Sequence, residues 1–458
     1  MFNHACKRPA STAWLRPAAQ LIALSAIAIA GLLATTVAAG AAIPCAPGGP
    51  TFNLTTARGY FSTPDGNSVF MWGYRRNVAG QTFQMPGPVL CVTQGQTVRI
   101  NLTNPNPTGP TTPADTGLPE PTSLVFPGQT NVLTVGGKPG LFTSEIGPGA
   151  GTVSYQFVAS QPGTYLYESG TNPHKQVEMG LYGVLIVRPS SAPATQAYND
   201  PDTTFNADQQ YFLVLHEVDP FLHQAVERSE TFDSTVERDR YFTVNGRAFP
   251  DSIQDNNVPW LPGQPYGALV TVEALTCDSP GSGAGCEPTP GTLPALIRFA
   301  NAGLKNHPFH PHGNHVRLIA RDGRELGGLG FPAAKEQFTR TIGSGQTAEL
   351  LARWINEQEF TPVSDPPAPS DNPIPPQVVL DQQNVVFKDN VTFYSGSPYL
   401  GVTDGDFLPP GTTSFNECGE FYYPWHSHAL NEFVNFDEGF GGMATLWRVN
   451  PQMPNTCP

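Results

Sequence analysis

The sequence predicts an all-β protein built of sandwiches, and three observations carry that expectation. Glycine and proline are abundant, at 46 and 48 of 458 residues, while only 14% of the chain is charged; so many turn formers do not suit a helical protein. Short runs of β-branched and aromatic residues recur between them, among them Thr97-Val98-Arg99-Ile100-Asn101-Leu102, Gly183-Val184-Leu185-Ile186-Val187, Tyr211-Phe212-Leu213-Val214-Leu215 and Ala268-Leu269-Val270-Thr271-Val272. Apolar spacing at the helical period is nearly absent.

In chain order, the first element is a targeting segment. Lys7, Arg8 and Arg16 precede an apolar run from Leu21 to Val37, and Ala39-Gly40-Ala41 follows it, the layout of a secretory signal over residues 1–41 with cleavage expected after Ala41. The same run read as a membrane anchor is disfavoured, because small residues follow it and no basic stop-transfer segment does. No membrane span is therefore expected after cleavage, and the mature chain is expected in the periplasm or outside the cell. Losing three cations moves the formal net charge from −14 to −17, which argues against nucleic acid and anionic membrane as partners.

A first domain is expected over 42–190, ending where Val187-Arg188-Pro189 gives way to Ser190-Ser191-Ala192-Pro193. A second is expected over 205–455. Only about 60 residues separate Tyr241 from His307, which favours two domains over three. Phe360 to Gln377 interleaves Pro and Asp and opens an irregular insertion spanning about 359–413. Six cysteines remain after cleavage, an even number in an exported chain, and they point to disulfides. The preferred pairs are Cys45 with Cys91, Cys277 with Cys286 and Cys418 with Cys457, out of 15 arrangements that six cysteines permit.

Two histidine runs carry the chemistry: Asn306-His307-Pro308-Phe309-His310-Pro311-His312-Gly313, and Trp425-His426-Ser427-His428. Residues two apart on a strand share a face, so His310 with His312 and His426 with His428 each present paired imidazoles. If buried together without an ion, these rings would leave several polar nitrogens to be satisfied. Copper is the first expectation for these rings, since imidazole suits several metals and Cu(II) heads the affinity order; His307 with the Glu432 carboxylate, a His plus carboxylate pair, is the alternative that could hold a harder ion such as zinc or manganese.

The His-Pro-x-His-x-His-Gly run and the later His-Ser-His run resemble the last domain of the multicopper oxidases. The resemblance extends to Pro86-Gly87-Pro88 with Val92-Thr93-Gln94-Gly95-Gln96-Thr97-Val98, to Gly163-Thr164-Tyr165 with Gln176-Val177-Glu178-Met179-Gly180-Leu181, and to Tyr241-Phe242-Thr243-Val244-Asn245-Gly246. It implies tandem cupredoxin-like Greek-key sandwiches. It also implies His307 as a type 1 copper ligand, His310 as a type 2 ligand, and His312, His426 and His428 as type 3 ligands.

The chain departs from the family at decisive positions. The type 1 cysteine is Ser427, the second type 1 histidine falls on Glu432, and Met443 comes several residues later than the axial methionine would. The first-domain histidine pairs are replaced near Thr122-Ser123-Leu124-Val125-Phe126 and at Glu168-Ser169-Gly170. A serine hydroxyl cannot serve as the thiolate of a blue copper centre, and half of the family's trinuclear ligand set is gone.

The resulting expectation is an exported copper-binding protein, with an oxidoreductase activity on a reduced His-rich site as one reading and a non-catalytic cell-envelope scaffold as the other. Substrate, electron partner and oligomeric state are left open. His174, His216, His223 and His315 are read as structural, Glu168 as a hydrogen-bonded carboxylate rather than an oxygen ligand, and Trp425, Tyr422 and Tyr423 as packing residues.

Overall fold

Strands dominate the computed structural model, which describes residues 43–107, 117–236, 238–275, 293–327, 333–355, 385–386, 392–393, 421–439 and 441–450. The segment 1–41, most of the expected insertion, and the pairs Cys277 with Cys286 and Cys418 with Cys457 lie outside the described residues.

The N-terminal sandwich sets a five-stranded sheet against a three-stranded one. In the larger sheet the order is Ser68–Arg76, Thr51–Ser62, Thr97–Thr103, Thr152–Val158, Leu133–Val135; in the smaller it is Leu90–Thr93, Tyr182–Arg188, Gly163–Glu168. Period-two alternation sets the faces. Val98, Ile100 and Leu102 of one strand and Val153, Tyr155 and Phe157 of its neighbour point into a shared core, and the residues between them are at least partly exposed. Cys45 and Cys91 are joined, as expected. Reduction of this bridge is expected to cost about 2–4 kcal/mol, read as a lower denaturant midpoint under reducing conditions than in a non-reducing control.

The C-terminal sandwich pairs a seven-stranded sheet with a six-stranded one. The continuous apolar run in Gln210–Val218 finds its reason here, because every residue of that strand is buried. Tyr211, Leu213 and Leu215 face the core of their own sandwich, whereas Phe212, Val214 and Val218 face a second core shared with Met71, Phe83, Leu166 and Ile186 of the N-terminal sandwich. A strand covered on both sides has no polar face to show. Arg298 and Glu349, 3.4 Å apart and buried, reinforce the same junction. Glu349 accepts from the Thr164 N–H at 2.7 Å, and the Thr347 hydroxyl donates to the Thr164 carbonyl at 2.8 Å.

Among the described residues helix is confined to short pieces, the longest being Pro220–Glu227. It was legible from Asp219-Pro220, since Asp219 accepts from the Phe221 and Leu222 N–H groups as an N-cap and proline takes the first turn. Periodicity alone missed it because the helix has barely two turns. Among the described residues no helix is long and apolar enough to cross a membrane.

Candidate metal centre

The two histidine runs meet side by side. Strand His307–Pro311 pairs antiparallel with Phe421–Ser427, placing His310 directly opposite His426. The ladder continues past both ends, with the His312 N–H donating to the Pro424 carbonyl at 2.9 Å and the His428 N–H to Pro308 at 2.8 Å. Trp447 Nε1 also donates to the His312 carbonyl at 2.9 Å. Four rings gather on the outer face of this pair. The His310 ring centroid lies 5.0 Å from those of both His312 and His428 and 5.8 Å from that of His426, and His312 lies 5.1 Å from His426.

The nitrogens of this group are partly assigned by their partners. His426 Nδ1 lies 2.8 Å from the Ser427 carbonyl oxygen, which can only accept, so Nδ1 carries the proton and Nε2 presents its lone pair. His312 Nε2 stands 3.0 Å from that lone pair. Either it donates there, or both lone pairs face one cation. Thr339 holds His310 through Nδ1 at 2.7 Å. Burial first, and then the nearby rings, push His310 and His312 below the usual imidazole range and His426 down to about 4. Neutral rings keep their lone pairs available for an ion.

One expectation needs correction. The four imidazoles are not buried together: His312 and His428 are exposed, His310 is half-buried, and only His426 is buried. Water can satisfy the exposed nitrogens, so burial does not itself demand a metal. Among the described residues no three His, Cys, Asp or Glu side chains already form a closed metal site.

The inner face of the same strands holds a different device. His307 sits at an odd spacing from His310 and therefore points the other way, into the protein, together with Ser427. Both of its ring nitrogens meet carboxylates: Nδ1 lies 2.8 Å from Glu432 Oε2, and Nε2 lies 2.9 Å from Glu217 Oε2. Ser427 Oγ donates to Glu432 Oε2 at 2.5 Å. Glu217 also accepts backbone N–H groups from Leu304 and, at 2.8 Å, from Lys305.

Burial opposes charge on His307, but its hydrogen bonds to Glu217 and Glu432 and their charges outweigh that and raise it to about 9. Burial likewise acts to raise Glu217, and the hydrogen bond and charge of His307 overcome it and hold the carboxyl down at about 2. The result is an imidazolium clamped between two carboxylates. Both ring nitrogens of His307, the residue expected as a type 1 ligand, are thus engaged by carboxylates in this arrangement. The zinc or manganese alternative loses its basis too, because His307 and Ser427 already engage Glu432. Met443 is buried in the core, and its carbonyl accepts from the Ser427 N–H at 2.9 Å.

Glu217 was missed by the sequence reading. Its neighbour in the clamp is ninety residues away, and nothing local in Leu215-His216-Glu217-Val218 marks it. The two first-domain segments around Val125 and Glu168 lie side by side, joined by a two-way bridge of backbone hydrogen bonds at 2.8 and 3.1 Å. Hydroxyls and an amide occupy that region: Ser169 Oγ donates to Gln176 Oε1 at 2.6 Å, and Ser123 Oγ lies 2.9 Å from Thr171 Oγ1. Burial pushes the Glu168 carboxyl up. His174 and His315 are exposed, while Trp425 packs in the core against Phe299 and Phe309.

Comparison with known proteins agrees with this architecture. Residues 65–192 match the multicopper oxidase family model. Over 142 residues the chain is 30% identical to copper resistance protein A of Pseudomonas syringae pv. tomato, a match covering 31% of this chain and 21% of that protein. The match thus spans about a fifth of the length of that curated relative. Among solved structures, the blue copper oxidase of Nitrosomonas europaea aligns with a TM-score of 0.51 at 17% identity, covering 88% of each chain. The multicopper oxidase mgLAC aligns with a TM-score of 0.52 at 15% identity, over 88% of this chain and 86% of that one. At such identities these two structures speak for the tandem cupredoxin-like fold.

Proposed function

We propose that this chain is a multicopper-oxidase-like, exported copper-binding protein that holds a single mononuclear copper on His310, His312, His426 and His428 and has no blue centre. The observation that carries the reading is the convergence of four imidazoles on one open face, with the His426 tautomer fixed by the Ser427 carbonyl so that Nε2 faces His312. A hydrogen bond of that kind, made by the other ring nitrogen, orients the histidine ligands of metal sites. Copper supplies one-electron chemistry when bound. The chain's own contribution is to set the four rings by strand register, to hold His310, His312 and His426 below the usual imidazole range, and to leave one side open to a substrate or electron partner.

His307 is no ligand in this reading. Its proton replaces the charge that a type 1 copper would carry, and Glu217 and Glu432 take the place of the missing ligands. Copper-loaded protein is therefore expected to be pale, without the intense band near about 600 nm that a copper thiolate gives. An absorption spectrum of the copper-saturated chain checks this; a strong band there would mean that a free cysteine reaches the metal.

The scaffold reading draws support from the exposure of His312 and His428 and from the hydroxyl network at the first-domain positions. Metal analysis after copper loading and desalting, paired with an oxygen-consumption assay, separates the two. Retained copper supports the proposed function, and a copper-free protein supports the scaffold.

A further inference from the structure

The five-stranded sheet of the N-terminal sandwich ends on strand Leu133–Val135, and the outer side of that strand is open. It pairs with Thr152–Val158, and among the described residues no strand pairs with it on the other side. All three of its residues are exposed. The register sets Leu133 opposite Gln156 and Val135 opposite Ser154, so both apolar side chains stand on the outer face of the sheet, away from the core that Tyr155 fills. Val158 lies on that outer face too. On the core side of the same edge packs the hairpin of Lys138–Pro139 with Ser144–Glu145. Thr134 Oγ1 lies 2.8 Å from Ser144 Oγ, and the Tyr155 hydroxyl donates to the Ser144 carbonyl at 2.6 Å. The hairpin tip presents Leu141 and Phe142. Together Leu133, Val135, Leu141, Phe142 and Val158 are 49–82% exposed.

Proteins ordinarily blunt an open strand edge with charge, proline or a covering segment, and this edge has none of them. From Gly128 to Gly137 the chain carries no charged residue and no proline, and Thr152–Val158 carries none either. The rest of the molecule is acidic, with a formal net charge of −14. A charged partner finds nothing to pair with along this strand, whereas a second copy of the chain can approach here without setting carboxylate against carboxylate. The strand is also complementary to itself. Two copies related by a two-fold axis through Thr134 run antiparallel, and Leu133 of each then faces Val135 of the other on one side of the sheet. The five exposed side chains offer on the order of 600 Å² per chain, as much as the largest apolar patch on a typical monomer. Two copies bury about 1,200 Å², the lower end of a standard interface.

We propose that strand Leu133–Val135 is a docking edge for a second copy of this chain, joining two five-stranded sheets into one continuous sheet about a two-fold axis at Thr134. The outward backbone N–H and C=O groups of the strand pair across the axis, and the Leu133–Val135 contacts leave water. Leu141 and Phe142 flank the seam. The dimer is weak, because the strand is short and the area small.

Sedimentation equilibrium of the full chain tests this, at about 0.3 M salt so that the mutual repulsion of two acidic chains is screened. A monomer–dimer equilibrium with a Kd of about 1–100 μM is expected. Leu133→Lys and Val135→Glu should each weaken it by about tenfold or more, with unchanged circular dichroism spectrum and thermal midpoint, since both positions are exposed. An equimolar mixture of these two variants should associate at least about fivefold more tightly than either alone, because the antiparallel register sets the introduced cation of one chain opposite the introduced carboxylate of the other. Wild type that stays monomeric at about 1 mM overturns the proposal and leaves the edge to a strand of a different protein. An undiminished dimer in both single variants overturns it as well, and a mixture no tighter than its components overturns the pairing about Thr134 on which it rests.

Discussion

Replacing His307 with leucine is expected to destabilise the protein by about 3–5 kcal/mol. The side chain is fully buried between Glu217 and Glu432, and its removal leaves two carboxylates facing an apolar group with no cation. Leucine is close enough in size that packing is not the main loss. The pH dependence follows from the direction of each shift. His307 is raised from 6.5 to about 9 in the folded state, so its contribution is complete below about pH 6.5 and is lost as pH rises through 9. Glu217 is lowered from 4.5 to about 2, so its contribution is complete above about pH 4.5 and is lost as pH falls through 2. Both are whole only between those limits. Urea denaturation of wild type and His307→Leu from pH 5 to pH 10 checks this: the gap between them should narrow through pH 9. Parallel curves across that range would show that His307 carries no proton.

The double substitution His310→Ala with His312→Ala is expected to weaken copper binding by about 100-fold or more, roughly 2.7 kcal/mol, while shifting stability by only about 0.5 kcal/mol. His312 is exposed and His310 half-buried, so alanine leaves little cavity at either position. The chelate is what suffers, because His426 and His428 alone cannot enclose an ion. Titration with copper in the presence of a competing chelator measures it. Affinity equal to wild type would make the constellation a relic and favour the scaffold reading.

Much of the fold was legible because the strand signal is local. Alternation in Thr97–Thr103 and Thr152–Val158 states which residues face the core, and the unbroken apolar run Tyr211 to Leu215 states that its strand is covered on both sides. The division of the His runs into two faces was also present in the spacing, since His307 and His310 are three positions apart and His310 and His312 are two apart. What spacing cannot give is the partner across the fold. Glu217 reaches His307, and Glu178 reaches His223, only because the sheets bring them together, and the type of residue at each position gives no warning of it. Solvent exposure of His312 and His428 was equally hidden, since the spacing of the histidines says which rings share a face and not what covers that face.

On the inner face carboxylates hold a proton on His307 in the proposed place of type 1 copper, and on the outer face the histidines form the proposed copper site. Electron paramagnetic resonance of the metal-stripped chain, titrated with Cu(II) and followed by absorption, tests both halves at once. The predicted result is a single Cu(II) signal with the wide parallel hyperfine splitting of a tetragonal nitrogen site, lost in the His310→Ala and His312→Ala protein and unaccompanied by blue colour. A narrow-splitting signal with a strong visible band, or no specifically bound copper at all, would contradict it.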